Sequence, residues 1–339
     1  MNNAINRTFQ HKMAAHCESG TVAAQINYAG LKISEPMVFG ISSGIFFGYF
    51  RTPNFPFPTF VVRNRPGQLR KETSRLLGIK YNTKKFRNPI KGEEELDKLL
   101  AKNIPVSCQT DFYYMDYLPN HVRVHINVHF ITIIGKNGNN YIVSDSYSPE
   151  LAELSRENLM KARFPGGSFS PKGFIFYTDS IPDNVNLEKA IKKGIKKATF
   201  YMIKLPMPFL GVKGIRLFSK KILDWPKLAR DTEHLSHEIM KINILLEDQG
   251  TGGAGFRFMY ASFLQEASEI LNNPSLKEMS QRIMSIGDNW RKLSLFAARI
   301  GKKRDLGEDK LLELSNMIKD RADEEEVFFK DLMKISKAL

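Results

Sequence analysis

The stretch His121-Val122-Arg123-Val124-His125-Ile126-Asn127-Val128-His129-Phe130 decides how the first half of this chain is read. Val122, Val124, Ile126, Val128 and Phe130 occupy every second position, with His121, Arg123, His125, Asn127 and His129 between them. A period of two is the mark of a strand, so a strand is expected from His121 onward. Lys136-Asn137-Gly138-Asn139 then supplies a turn, and Tyr141-Ile142-Val143 returns as the antiparallel partner. Further out, Glu18 to Gly30 reads as a helix ended by Gly30, Glu93 to Lys102 as a second helix, and Pro105-Val106-Ser107-Cys108 as the start of another strand.

Beyond Thr178-Asp179-Ser180-Ile181-Pro182 the pattern changes to long amphipathic stretches. Helices are expected over Leu187–Lys204, Lys227–Glu247, Phe256–Leu271, Leu276–Ile300 and Asp309–Lys334, divided by Pro206 and Pro208, the Gly250–Gly255 loop, Pro274 and Gly301. The expected organisation is therefore α+β: a mixed domain with an antiparallel sheet over 1–180 and an all-α domain over 181–339.

The 339 residues suffice for two domains, and 42% hydrophobic with 25% charged residues is the composition of a chain that buries real cores. Fifty Lys+Arg against 36 Asp+Glu leave a net charge of +14. Such a charge suits nucleic acid, an anionic membrane surface or an acidic protein partner. No helix-turn-helix, RNP-type aromatic motif or Cys/His zinc spacing accompanies it, so nucleic acid is not expected. Glu35 to Phe50 is the most apolar stretch, but it is short and interrupted by Gly40, Gly44 and Gly48, so no membrane span is expected. Two cysteines and no signal peptide point to a reducing cytoplasm.

Cys17 stands at the start of the first expected helix, where the positive end of the helix dipole and unpaired N–H groups favour a thiolate. A cysteine nucleophile needs an imidazole to take its proton and a third group to orient that imidazole. His129 and Asp145 are the candidates. A two-residue Asn137-Gly138 turn would put them on opposite faces of the hairpin, whereas a loop of three or five residues puts both on one face, which is the arrangement expected. His121, His125 and His129 recur every four residues, yet on a strand that spacing spans about 13 Å, so no shared metal ion is expected. His16 is read as structural and Cys108 as strand core. The oxyanion donors would be the Cys17 backbone N–H with Gln10 or His11.

These residues resemble a known family. Phe9-Gln10-His11, His16-Cys17-Glu18-Ser19, Tyr28-Ala29-Gly30, Ser34-Glu35-Pro36, and the run Phe39-Gly40-Ile41-Ser42-Ser43-Gly44-Ile45-Phe46-Phe47-Gly48-Tyr49 are similar to the N-terminal domain of butirosin biosynthesis protein H. Pro105-Val106, Asp111-Phe112-Tyr113-Tyr114, Leu118-Pro119, His129-Phe130 and Val143-Ser144-Asp145 extend the likeness. Gly250-Thr251-Gly252-Gly253, Phe256-Arg257, Tyr260-Ala261 and Phe263-Leu264-Gln265-Glu266-Ala267 resemble the helical domain that accompanies it. Around Phe164-Pro165-Gly166-Gly167 no family pattern is found.

The resemblance implies a papain-like, C39-like cysteine domain with acyltransferase activity in specialised-metabolite (antibiotic) biosynthesis. Cys17 would accept an acyl or aminoacyl group from an acyl carrier protein, His129 would be the base and Asp145 its orienting partner. The acceptor would be a small-molecule amine. No cofactor is bound in this reading; phosphopantetheine enters only as part of the donor. Lys192, Lys193, Lys196 and Lys197 are a candidate patch for an acidic carrier. The amides of the Gly250–Gly255 loop, with Gly252, Gly253 and Arg257, are a candidate phosphate cradle. Tyr113, Tyr114 and Tyr117 beside Asp111 and Asp116 are a candidate pocket for the cationic amine. The alternatives are a cysteine peptidase or amidohydrolase on the same triad, and a non-catalytic scaffold protein.

Overall fold

The computed structural model describes residues 5–53 and 55–339. The chain divides into two compact units, neither continuous in sequence: Met1–Val38 with Leu69–Val185, and Phe39–Gln68 with Asn186–Leu339. A single cut after residue 180 assigns 39–68 to the first domain; the structure groups that segment with the helices of the second unit.

The helices that begin in the first half are α1 (Cys17–Tyr28), α2 (Glu35–Ile41), α3 (Gln68–Leu77), α4 (Pro89–Ala101) and α5 (Arg156–Arg163). Strands β1 (Ile45–Thr52) and β2 (Phe55–Arg63) form a separate hairpin. The sheet of the first unit comprises β3 (Lys80–Lys84), β4 (Val106–Thr110), β5 (His129–Asn137), β6 (Asn140–Ser144), β7 (Ala152–Ser155) and β8 (Ile175–Ser180). Its order is β3-β8-β4-β5-β6-β7, antiparallel throughout. Leu96, Leu99 and Leu100 of α4, with Leu159 and Ala162 of α5, pack on Val106, Cys108, Ile131, Ile133 and Val143 to make its main core.

Helix α1 is tied to this sheet by polar side chains as well as apolar ones. Gln25 Nε2 donates to the Pro105 carbonyl at 3.0 Å and to Ser107 Oγ at 2.9 Å, and Thr21 Oγ1 donates to the Phe130 carbonyl at 3.3 Å. All three side chains are buried and each bond satisfies a group that would otherwise be costly to desolvate, so the axial position of α1 is well determined.

The strand expected from His121 is not formed over its first eight residues. Asn120–Val122 is a 3₁₀ turn and the strand begins at His129. The reason is local competition for backbone groups. Asp111 Oδ1 accepts the Ile126 N–H at 3.0 Å, the Phe112 N–H donates to the Ile126 carbonyl at 3.1 Å, and Gln109 Nε2 donates to the Asn127 carbonyl at 2.6 Å. Val122 and Val124, the supposed inward residues, are 41% and 49% exposed.

In the second unit the β1–β2 hairpin carries an aromatic cluster. Phe47 stacks on Phe60 at 5.5 Å and on Trp290 at 6.2 Å, Tyr49 stacks on Phe218 at 5.2 Å, and Trp225 Nε1 donates to the Tyr49 hydroxyl at 3.0 Å. This burial of large rings is why 39–68 belongs with the helices. Those helices are α6 (Leu187–Ile203), α7 (Gly211–Lys221), α8 (Trp225–Leu228), α9 (Thr232–Asn243), α10 (Arg257–Ile270), α11 (Pro274–Lys303) and α12 (Glu308–Ala338). Residues 187–339 are thus helical as expected. Helix α7 was not anticipated, and the stretch expected as one helix over 227–247 is α8, α9 and a π-helical turn at Ile244–Asp248.

Candidate active site

Cys17 is the first residue of α1, and the helix is built around it. His16 is the N-cap: its Nδ1 accepts the Ser19 N–H at 3.2 Å, which explains the structural part of the His-Cys motif. Glu35 of α2 holds the approach to the helix, accepting the Ala15 and His16 N–H groups at 2.9 Å each and the Ser19 hydroxyl at 2.8 Å. Burial pushes the Glu35 carboxyl up, and these three donors offset only part of that rise. Cys17 itself is 7% exposed, with Sγ 3.8 Å from the Val128 carbonyl.

His129 opens β5, one residue beyond that carbonyl. Its Nε2–H donates to Asp145 Oδ2 at 2.8 Å, and its ring also hydrogen-bonds the Cys17 side chain, for which Nδ1 is the nitrogen left. Burial alone would lower the basicity of His129. The Asp145 charge and hydrogen bond, with the contribution of Cys17, outweigh it and push the imidazole up to about 10. Burial likewise disfavours the Asp145 carboxylate, but His129, the Tyr117 hydroxyl at 2.6 Å and the Tyr147 N–H at 3.0 Å hold it below the usual aspartate range. His129 is therefore held as imidazolium at neutral pH. Its ring is fixed by Phe112, edge-on at 4.8 Å, and Tyr147, stacked at 5.5 Å.

The register of the β5–β6 hairpin puts His129 and Asp145 together by a route the sequence reading did not foresee. The loop has two residues, Gly138 and Asn139, with Asn137 opposite Asn140, and Gly138 adopts φ 59°. Carried on unbroken, that register would place His129 and Asp145 on opposite faces. A β-bulge intervenes: Gly135 pairs with Ile142, but Ile133 pairs with Val143, leaving Ile134 extra. The Ile134 carbonyl accepts the Asn6 N–H at 2.9 Å, so the bulge is satisfied. Beyond it the parity is reversed, and both side chains share one face.

The remaining candidates are placed differently. Both nitrogens of His11 are engaged: Nε2–H donates to the Ser148 carbonyl at 3.1 Å, and Nδ1 accepts the Ser144 hydroxyl at 2.7 Å. His11 pins the N-terminal segment to β6, and Gln10 is exposed. Asp111 is buried and spends its carboxylate on loop geometry, accepting from the Tyr113 and Ile126 N–H groups and from His125 Nδ1 at 2.7 Å. Tyr113 is 44% exposed and stacks on His125 at 4.1 Å. The strand-distance argument about His121, His125 and His129 does not apply to a loop; His125 and His129 are instead each bound to a separate aspartate. Among the described residues no group of three or more His, Cys, Asp or Glu stands in metal-binding proximity.

In the second unit, Arg257 is fully buried, with Nε and Nη2 on the Glu325 carboxylate at 2.8 and 3.1 Å and Nη1 on the Gly255 carbonyl at 2.7 Å. The Gly253 N–H donates to Thr251 Oγ1 at 3.0 Å and the Ala254 N–H to Glu247 Oε1 at 3.2 Å. Gly252 and Gly253 adopt φ 67° and 91°, so the glycines serve a left-handed turn stitched to itself. A cavity of 480 Å³ lined by Tyr49, Phe50, Leu217 and Leu228 also lies in this unit, and no triad residue borders it. Tyr117, Phe112 and Tyr147 are the residues whose roles beside the triad sequence reading missed; Tyr147, two residues after Asp145, carried a local signal, whereas Tyr117 and Phe112 reach the triad from a loop 12 or more residues before His129.

A thiol at the head of a helix, facing an imidazole and a carboxylate carried by an antiparallel sheet, is the arrangement of a papain-like cysteine fold. Residues 16–146 match the family model described as butirosin biosynthesis protein H, N-terminal, and residues 157–332, more than half of the chain, match the domain of unknown function DUF4872. The chain belongs to the DUF4872 family, and ahead of that domain it carries the match to butirosin biosynthesis protein H, N-terminal. No curated protein matches the chain. Among solved structures it is similar to a "putative C39-like peptidase from Bacillus anthracis", with 18% identity, a TM-score of 0.36, and coverage of 54% of this chain and 100% of that one. No helix among the described residues is long and apolar enough to cross a membrane.

Proposed function

We propose that the protein is an acyltransferase of antibiotic or other specialised-metabolite biosynthesis, moving an acyl or aminoacyl group from a carrier-protein thioester through acyl-Cys17 to an amine. The observation that carries this reading is the Cys17–His129–Asp145 arrangement at the head of α1. The Cys17 thiolate attacks the thioester carbonyl, forming a new carbon–sulfur bond; the carrier carbon–sulfur bond breaks and the His129 imidazolium gives its proton to the departing thiolate. The amine then attacks acyl-Cys17, and His129 takes a proton from the nitrogen as the Cys17 sulfur leaves. The Cys17 N–H, at the helix N-terminus, is the oxyanion donor in both steps. Asp145 keeps the imidazole oriented and supplies the countercharge for its imidazolium form.

A net charge of +14 supports an acidic carrier as the donor, since complementary charge accelerates encounter in a salt-dependent way. On α6, Lys193 and Lys196 are exposed and available to such a partner. Phosphopantetheine enters as the arm of that carrier, and both free cysteines suit a reducing cytoplasm.

The test is incubation with a panel of acyl-carrier thioesters followed by intact-mass measurement. One acyl adduct is expected, absent in Cys17→Ala and discharged by an added amine with formation of the amide. Discharge by water at the same rate with or without amine assigns the triad to hydrolysis instead, and the lack of any adduct overturns the acyl-enzyme reading.

A further inference from the structure

Tyr117 lies between the 3₁₀ turn Phe112–Tyr114 and Pro119, and nothing in the acyl-transfer scheme uses it. Its hydroxyl donates to Asp145 Oδ2 at 2.6 Å, the same oxygen that accepts His129 Nε2–H at 2.8 Å. The other oxygen, Oδ1, accepts the Tyr147 N–H at 3.0 Å. Three donors therefore fix the carboxylate, two of them on the oxygen that faces the imidazole. The Met115 thioether lies 3.2 Å from the Tyr117 oxygen, and Asp116 is the other charge that faces the phenol. Cys17 is the further titratable group on the His129 side. Burial, then the Asp145 and Asp116 charges, push the phenol well above its ordinary value, so it keeps its proton to donate to the Asp145 carboxylate.

We propose that Tyr117 is a positioning residue that divides the charge of Asp145 Oδ2 between itself and His129, and so sets the upper pH limit over which His129 faces Cys17 as an imidazolium. The physical reason is competition for one oxygen. A charge-assisted bond from the phenol draws electron density from Oδ2 and weakens its hold on the imidazolium proton. Without the hydroxyl, His129 meets the whole charge and keeps its proton to higher pH, while the carboxylate, having lost a donor, takes up a proton more readily in acid. The inference rests on the triad of the proposed function but not on the donor or the acceptor.

The experiment is the rate of Cys17 alkylation by iodoacetate, an anion whose attraction to the site falls when His129 gives up its proton, across pH, on the full chain, in the wild type, Tyr117→Phe and Asp116→Asn. Tyr117→Phe is expected to move the alkaline limb up by about one pH unit and the acid limb up as well. Asp116→Asn, which removes a charge near the phenol without touching the Asp145 hydrogen bonds, is expected to leave the acid limb in place. If Tyr117→Phe fails to fold, 3-fluorotyrosine at position 117, a stronger donor of nearly the same size, is expected to move the alkaline limb down. Unchanged limbs in a folded Tyr117→Phe or fluorotyrosine protein, or a uniform fall in rate at all pH values, overturn the proposal and leave Tyr117 a packing residue. Because alkylation needs no acyl donor, this outcome is independent of whether any thioester is accepted.

Discussion

Two histidines four residues apart in this chain are each paired with an aspartate, and the two bonds are nearly the same length. His125 Nδ1 lies 2.7 Å from Asp111 Oδ2 and His129 Nε2 lies 2.8 Å from Asp145 Oδ2. Each imidazole is stacked on a tyrosine, Tyr113 in one case and Tyr147 in the other. The difference is burial and what completes the set. The His125 side chain is 64% exposed and its aspartate is occupied with loop N–H groups; the His129 side chain is 3% exposed, beside a sulfur. A good hydrogen bond alone does not set the two pairs apart. Exclusion of water, which strengthens the field of the carboxylate, and a thiol on the free nitrogen do.

The largest effect that breaks the comparison is expected at His129. His129→Ala should lower the rate of acyl-Cys17 formation by about 10²–10⁴-fold, measured by intact mass under single turnover. Asp145→Asn should come next, because it leaves a buried imidazolium without its countercharge. A loss of about 3–5 kcal/mol in urea unfolding, with slowed Cys17 alkylation, is the expected result. Asp111→Asn is the matched change in the exposed pair: about 1–3 kcal/mol from the lost acceptor for His125, with alkylation retained. His125→Ala should be smallest, within about 1 kcal/mol, since a solvent-exposed ion pair contributes little. Equal losses of alkylation in the Asp111 and Asp145 variants would erase the distinction drawn between the two pairs.

pH sharpens the same contrast. His129 holds its proton to about 10 in the folded chain and to 6.5 as a free imidazole, so its contribution to stability is complete below 6.5. It declines as pH rises through that interval and is gone above about 10. Asp145 acts in the opposite sense: its folded value lies below 3.8, so its contribution is present above 3.8 and is lost as pH falls through the folded value. The urea midpoint of the wild type should therefore fall between pH 6.5 and 10 by more than that of His129→Ala.

The residues of the site were more legible than their arrangement. Cys17 before a helix and an alternating run ending in His129 are local patterns, and the α+β first half followed by helices is a matter of period. The alternation over 121–128 was misleading because Asp111 and Gln109, distant by ten or more residues, take the backbone groups a strand needs. The company of the 39–68 hairpin was equally hidden, since it depends on Phe218, Trp225 and Trp290 far along the chain.

From sequence alone came the helix that starts at Cys17, the turn at Gly138, the helical second half and the excess of positive charge, all of which depend on neighbours within a few residues. The tertiary structure decided that Ile134 bulges out and thereby turns His129 toward Asp145, that Tyr117 shares the Asp145 oxygen, and that His125 stays in solvent. Those outcomes depend on which groups find partners when distant segments pack, and a strand's side-chain parity changes with a single extra residue.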